Sequence, residues 1–211
     1  SIPSRNEDYL SIRDYLWRWD TDWFWCSKNL HVQNPLIRRL IGRKRLNSIS
    51  YQKVMRLNKR IGLTRTLNEW LGYHTESVIQ DVDIPIENAS RFLDFFHSEI
   101  GIQPVWVCPV GHSRNSAPYS LFPMVGDTTY INFGFWDVIR GRVELPVGHY
   151  NRKIEEAVAK FGGIKSLYSS AYYPEDEFWS LYGGEKYRAL KKRYDPDTRL
   201  TNLHQKCVLQ E

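Results

Sequence analysis

The 211-residue sequence predicts an α+β fold in which one antiparallel sheet carries helices on one face. Two observations predict it. From Ser77 onward, apolar residues switch between a spacing of two and a spacing of three to four, in the order strand-helix-strand-strand-helix-strand. Glycine or proline then stands where each pattern breaks.

The elements follow in chain order. Tyr9 to Arg18 alternates in part and is expected as a strand. Asp20-Thr-Asp22 is a plausible cap for a helix entering Trp23-Phe-Trp25. Pro35 opens a helix over Leu36–Ile41 that stops near Gly42, and another is expected from Ser50 to Asn58, before Gly62. Val78 to Ile86 is a strand containing Pro85. Glu87 to Ile100 is an amphipathic helix with Phe92, Leu93, Phe95 and Phe96 inward, stopped by Gly101. Strands are expected at 103–110, 129–135 and 165–172, with a polar loop from Gly111 to Pro118. Helices are expected at 150–161, 175–181 and 185–193, the first ended by Gly162-Gly163 and the last by Asp195-Pro196. Gly183-Gly184 reads as a helix-helix turn. This order is that of a ferredoxin-like unit. The chain divides into a Trp-rich leading segment with a helical excursion (1–75), an α+β core (76–182) and a C-terminal segment (183–211).

Hydrophobic residues make up 42% and charged residues 25%, which suits a globular chain with a real core. Aromatics reach 14% with eight Trp, which fits an apolar ligand or a large contact surface and fits equally a core built with Trp. The net charge of +5 suits anionic partners. The basic runs Arg38-Arg39, Arg43-Lys-Arg45 and Lys191-Lys-Arg193 fall in helix-like stretches and read as solvated faces. No RNA- or DNA-binding signature accompanies them, so nucleic acid is not expected as a partner. Cys26, Cys108 and Cys207 are far apart, which favours a reducing compartment. The histidines show no metal-ligand spacing, and no apolar run would span a bilayer. The expected location is cytoplasmic or peripheral to a membrane. The chain starts at Ser1 rather than Met, as a processed chain or a piece of a longer one would.

The sequence contains no G-x-G-x-x-G, no P-loop and no G-x-S-x-G elbow. Its compound segments are Tyr15–Trp25, Gln103–Pro109, Tyr130–Gly134, Ser166–Tyr173 with Glu177–Tyr182, and Tyr187–Cys207. In this order and spacing they resemble the C-terminal part of the delta-24 sterol reductase family, within the vanillyl-alcohol-oxidase-like flavoenzymes. The resemblance runs from about Tyr9 to Cys207. Trp106-Val-Cys-Pro109 and Phe178-Trp179 are its most specific parts.

The resemblance implies a cap, or substrate, domain. An N-terminal FAD-binding domain outside this chain would hold the ADP and ribityl parts of FAD, and residues 183–211 would pack back on it. Alternate residues of the central strands would face the flavin ring. Trp106 and Cys108 share one face of their strand, and Tyr130 and Asn132 share one face of theirs. Trp106, Cys108 and Asn132 are thus candidate substrate-binding residues. Tyr130, Tyr172 and Tyr173 are candidate proton donors. Arg199, Asn202 and Lys206 are candidates to offset negative charge on the reduced ring. The residues alone leave Trp106 and Cys108 open between core and pocket lining, and they favour an ordinary surface charge for Arg199. The implied activity is FAD-dependent reduction of a C=C bond in a sterol or other lipid-like substrate, with NADPH as electron donor. An FAD-linked alcohol or sugar oxidase and a non-enzymatic scaffold subunit are the alternatives. Peripheral membrane contact is a further expectation.

Overall fold

The computed structural model describes residues 9–17, 31–32, 34–111, 119–124 and 126–211, in two units, 1–72 and 73–211. The described elements of the first unit are helices. Tyr9 to Arg18 was expected as a strand, but its described residues include helix α1, Ile12–Trp17. Ile12, Tyr15 and Leu16 sit at helical spacing, and the amide of Tyr15 donates to the Ser11 carbonyl at 2.9 Å. The Asp20–Trp25 cap and helix start lie outside the described residues. Helix α2, Pro35–Ile41, is capped by the Asn34 side chain and ended by Gly42. Helix α3, Ser48–Ile61, is capped by Asn47. Gly62, at φ 70°, turns the chain into α4, Leu63–Trp70, a helix the sequence pattern did not announce.

The second unit contains the sheet. Its elements are β1 (His74–Pro85), α5 (Ile86–Glu99), β2 (Trp106–Gly111), β3 (Thr129–Gly141), α6 (His149–Lys160), β4 (Ile164–Lys165), α7 (Glu175–Leu181) and α8 (Gly184–Tyr194). The strand order is β2-β3-β1-β4 and every pairing is antiparallel, the expected α+β arrangement. The Gly111–Pro118 loop lies mostly outside the described residues. The fourth strand is far shorter than the expected 165–172. Ser166 makes one more bond to the Asp81 carbonyl (2.9 Å), and the chain then leaves the sheet.

Val78, Val82 and Ile84 of β1 and Phe133 and Phe135 of β3 form one buried face. Helices α5 and α6 cover it with Phe92, Phe96, Ile154 and Val158. Phe96 lies 4.4 Å from Phe135 and Phe92 lies 5.2 Å from Phe133, ring centre to ring centre. Each buried side chain of this size contributes roughly 1.5–3 kcal/mol. Helix α6 starts at Gly148, which has no side chain to cap it. Glu76 of β1 caps it instead, accepting the amides of Tyr150 (3.2 Å) and Asn151 (2.9 Å). A carboxylate at this position also complements the helix dipole. A second cluster joins Tyr173, Phe178 and Tyr182 to Leu203, Cys207 and Val208 of the chain end. The expected turn at Gly183-Gly184 is present. Gly183 takes φ 62°, and a Cβ there would lie 2.2 Å from the Ser120 carbonyl oxygen.

Candidate functional site

With α5 and α6 on one face, the antiparallel sheet leaves the other free for a second layer. Register defines what that face presents. Trp106, Gly134 and Asp81 form one cross-strand row, Cys108, Asn132 and Asp83 the next, and Val110, Tyr130 and Pro85 a third. The expected pairing of Trp106 with Cys108 and of Tyr130 with Asn132 is therefore realised. Trp106 is half exposed, Cys108 and Asn132 are partly buried, and Tyr130 is buried.

Asp81, Asp83 and Gly134 are additions that the sequence reading missed. Their signal was present, since two carboxylates two apart in a strand must share a face. Asn132 donates to Asp83 at 3.1 Å. Burial pushes the Asp83 carboxyl up; the Asn132 hydrogen bond opposes this and the neighbouring Asp81 charge reinforces it. Gly134 is the flat centre of the first row. A Cβ there would lie 2.4 Å from Asp81 Oδ1 and 3.3 Å from Trp106 Cβ. Only glycine lets both side chains flank the same backbone position undisturbed.

Tyr168, beyond the short fourth strand, lies beside Asp81. Partial burial and the neighbouring Asp81 carboxylate hold its phenol far above the ordinary range, so the hydroxyl keeps its proton. Tyr168 also borders a cleft of ≈ 730 Å³, together with Ile79, Leu203, Lys206 and Cys207. Ile79 belongs to the same sheet face as Asp81, so the cleft adjoins the open face. Burial raises the Cys207 thiol against the opposing charges of Lys206 and Lys165.

The strand that carries Trp106 and Cys108 lies within a stretch shared with known proteins. The rat Delta(24)-sterol reductase is 27% identical over 195 residues, covering 88% of this chain and 34% of the relative. This chain is similar to the delta(24)-sterol reductases. The human protein of that name is 26% identical over 194 residues, and the Arabidopsis thaliana one is 26% identical over 138, covering 58% of this chain. The sterol-reductase-like chain spans about a third of the length of the mammalian relatives it matches. No family profile and no solved structure matches it.

The remaining candidate residues of the sterol-reductase-like chain are dispersed. Tyr172 and Tyr173 do not join the open face. The Tyr172 ring sits over Gly148, with the Arg152 guanidinium 5.0 Å from its centre, and its amide donates to Glu155. Burial raises its phenol, as do the charges of Glu76 and Glu155. Tyr173 is buried in the second cluster with its ring 6.1 Å from that of Tyr182, and burial holds its phenol far above the usual range. Arg199 pairs with Asp197 on the surface. Asn202 and Gln205 cap each other's backbone amides at 2.8 Å, closing the helical turn Gln205–Leu209. Lys206 is the one of those three that lines the cleft. Between these groups lies a buried ion pair, Lys165 to Glu155 at 2.6 Å, in which Lys165 also donates to the Ser170 carbonyl. Among the described residues no group of His, Cys, Asp and Glu could hold a metal, and no helix is long and apolar enough to cross a membrane.

Proposed function

We propose that residues 73–211 form the substrate side of an FAD-dependent oxidoreductase that reduces a C=C bond in a sterol or similar lipid. The open sheet face carries this reading. It combines exposed aromatic surface at Trp106 and Trp136 with a few converging polar groups at Cys108, Asn132, Asp81 and Asp83. Such a composition suits an apolar ligand fixed by one or two hydrogen bonds. The relatives' name, sterol reductase, supports the same substrate class.

The fit to FAD is to its ring and not to its phosphates. Gly134 is buried beneath the Asp81 carboxylate and Trp106, so the planar ring is assigned to the exposed indole surface of Trp106 and Trp136 on the same face. The sequence has no phosphate-cradling glycine loop, and we assign the ADP part to the N-terminal FAD-binding domain that the resemblance implies. When bound, FAD would supply a hydride, with NADPH as the proposed electron donor. This chain's residues do the rest. Trp106 and Cys108 press the apolar substrate into place and exclude water. Asn132 and the Asp81–Asp83 pair orient a polar group of the substrate. A hydride added to one alkene carbon requires a proton on the other. We assign that proton to Tyr168, which is exposed and borders the cleft; Tyr130 is on the same face but buried, and Tyr172 and Tyr173 lie further off. Lys206 lines the adjoining cleft and offers a positive charge there, as a reduced ring requires.

The test uses the full-length protein purified with its flavin. Trp106→Ala lowers turnover of a side-chain-unsaturated sterol at least about tenfold at unchanged FAD content, the loss expected when a positioning contact goes. Equal loss of flavin and activity would overturn the assignment of this face. Oxygen-dependent oxidation of an alcohol or sugar, without sterol reduction, would replace the reaction class.

A further inference from the structure

We propose that helices α3 and α4 form a docking surface for an anionic lipid bilayer, lying among its headgroups without crossing it. The first observation is charge segregation. Residues 1–72 carry 14 Lys or Arg and six Asp or Glu, whereas residues 73–211 carry 15 and 18. Between Asp22 and Glu69 there are eleven basic residues and no carboxylate. The positive charge of the chain is thus concentrated in its helical unit.

The second observation is what those helices expose. Val54, Leu57 and Ile61 recur at helical spacing on α3 and are 41%, 58% and 61% exposed. Leu67, Trp70 and Leu71 do the same at α4, with Trp70 80% exposed. Lys53, Arg56 and Arg60 of α3 are exposed and lie to one side of its apolar stripe on the helix wheel. Among the described residues of this unit, only Val32 and Leu46 are fully buried hydrophobics. Most apolar side chains among the described residues of this unit are therefore uncovered, at a cost that a cover would remove.

The third observation is rigidity of the elbow between the helices. The Asn58 side chain accepts the Thr64 amide at 3.2 Å and donates to the Thr64 hydroxyl, while Gly62 makes the left-handed turn. The two helices are thus joined by a defined bend and not by a slack linker.

A basic, amphipathic helix pair with tryptophan on its apolar side has the composition of an interfacial membrane element. Anionic headgroups match the basic side chains and the acyl boundary covers the stripes. A nucleic acid would answer the charge but leave the apolar stripes in water. A second copy of the chain would cover the stripes but set like charges against each other.

The experiment is co-sedimentation of the full chain with phosphatidylcholine vesicles, with and without phosphatidylserine. Binding is expected to be at least about tenfold tighter with phosphatidylserine and to fall with salt. The double variant Leu57→Gln/Trp70→Gln should weaken it about tenfold or more, and Arg56→Glu/Arg60→Glu should remove the preference for phosphatidylserine. All four side chains are exposed, so thermal melts of the variants should match the parent. The proposal is overturned if neither vesicle is bound. It is also overturned if a DNA or RNA oligonucleotide binds with no dependence on Leu57 and Trp70, or if a concentration-dependent dimer forms that the Gln pair abolishes and vesicle binding is absent.

Discussion

Asn132 donates its side-chain amide to Asp83 across the β1–β3 ladder, 3.1 Å from nitrogen to oxygen, on the face of the sheet opposite the helices. This bond only partly offsets what burial and Asp81 do to the Asp83 carboxyl, which stays above its ordinary value of 3.8. The folded state thus holds this proton more tightly than the unfolded state. Below 3.8 both states are protonated and the site costs nothing. The cost grows as pH rises from 3.8 through the folded value, and persists above it. Asp83→Asn should raise the melting temperature at neutral pH, and the gain should fade on acidification. Thermal melts of both proteins across pH 3 to 8 check this. A gain that is independent of pH would mean that charge is not the cause.

Gly134→Ala places a methyl group against Asp81 and Trp106. Trp106 Cβ is tied to its strand, so the short Asp81 side chain must turn away. We expect a loss of about 1–3 kcal/mol, the usual cost of overpacking. Urea unfolding measures it. Pairing with Asp81→Ala, which vacates the space, should recover part of the loss.

Lys165→Met leaves Glu155 buried with the Tyr172 amide in place of its cation. Breaking such a pair costs roughly 3–5 kcal/mol. The double variant Glu155→Leu/Lys165→Met should be more stable than Lys165→Met alone. It should not fully recover, because Ser170 and Tyr172 lose backbone partners. Guanidinium unfolding of the three proteins decides whether the pair acts as a unit.

Asp195 organises the loop after α8. It pairs with Lys191 and accepts the amides of Arg199 (2.9 Å) and Leu200 (3.1 Å). These bonds hold its carboxyl below 3.8. Its contribution is therefore complete above 3.8 and lost as pH falls through the depressed folded value. Asp195→Ala should expose the loop to trypsin at Arg199 at neutral pH, while the parent stays resistant. Equal cleavage rates would show that the loop is held by other contacts.

Most of the fold was legible in the sequence because glycines, prolines and apolar spacing agree from residue 74 onward. Helices α5 to α8 follow Phe92/Phe96, Ile154/Val158, Phe178 and the Gly183-Gly184 turn closely. The failures have local causes. Tyr9 to Leu16 offers both alternation and helical spacing, and a short window does not separate them. Lys165 to Tyr172 is rich in strand-forming side chains, yet Lys165 is drawn to Glu155, and the chain turns away to place Ser170 and Tyr172 around that pair. Of the candidate site, the faces of Trp106, Cys108, Tyr130 and Asn132 were legible from pleat alone. The contribution of Asp81 and Gly134 depends on cross-strand register, which one strand read in isolation does not contain.

The cap that Glu76 provides for α6 reaches across 74 and 75 residues of sequence. A helix with a glycine at its start and no local cap has little reason to persist by itself. During synthesis β1 emerges long before α6, and Glu76 waits with nothing to bind. The two elements should therefore lock together late, in one step. In the finished protein the amides of Tyr150 and Asn151 should exchange with solvent at the same rate as those in the middle of β1, as parts of a single opening unit.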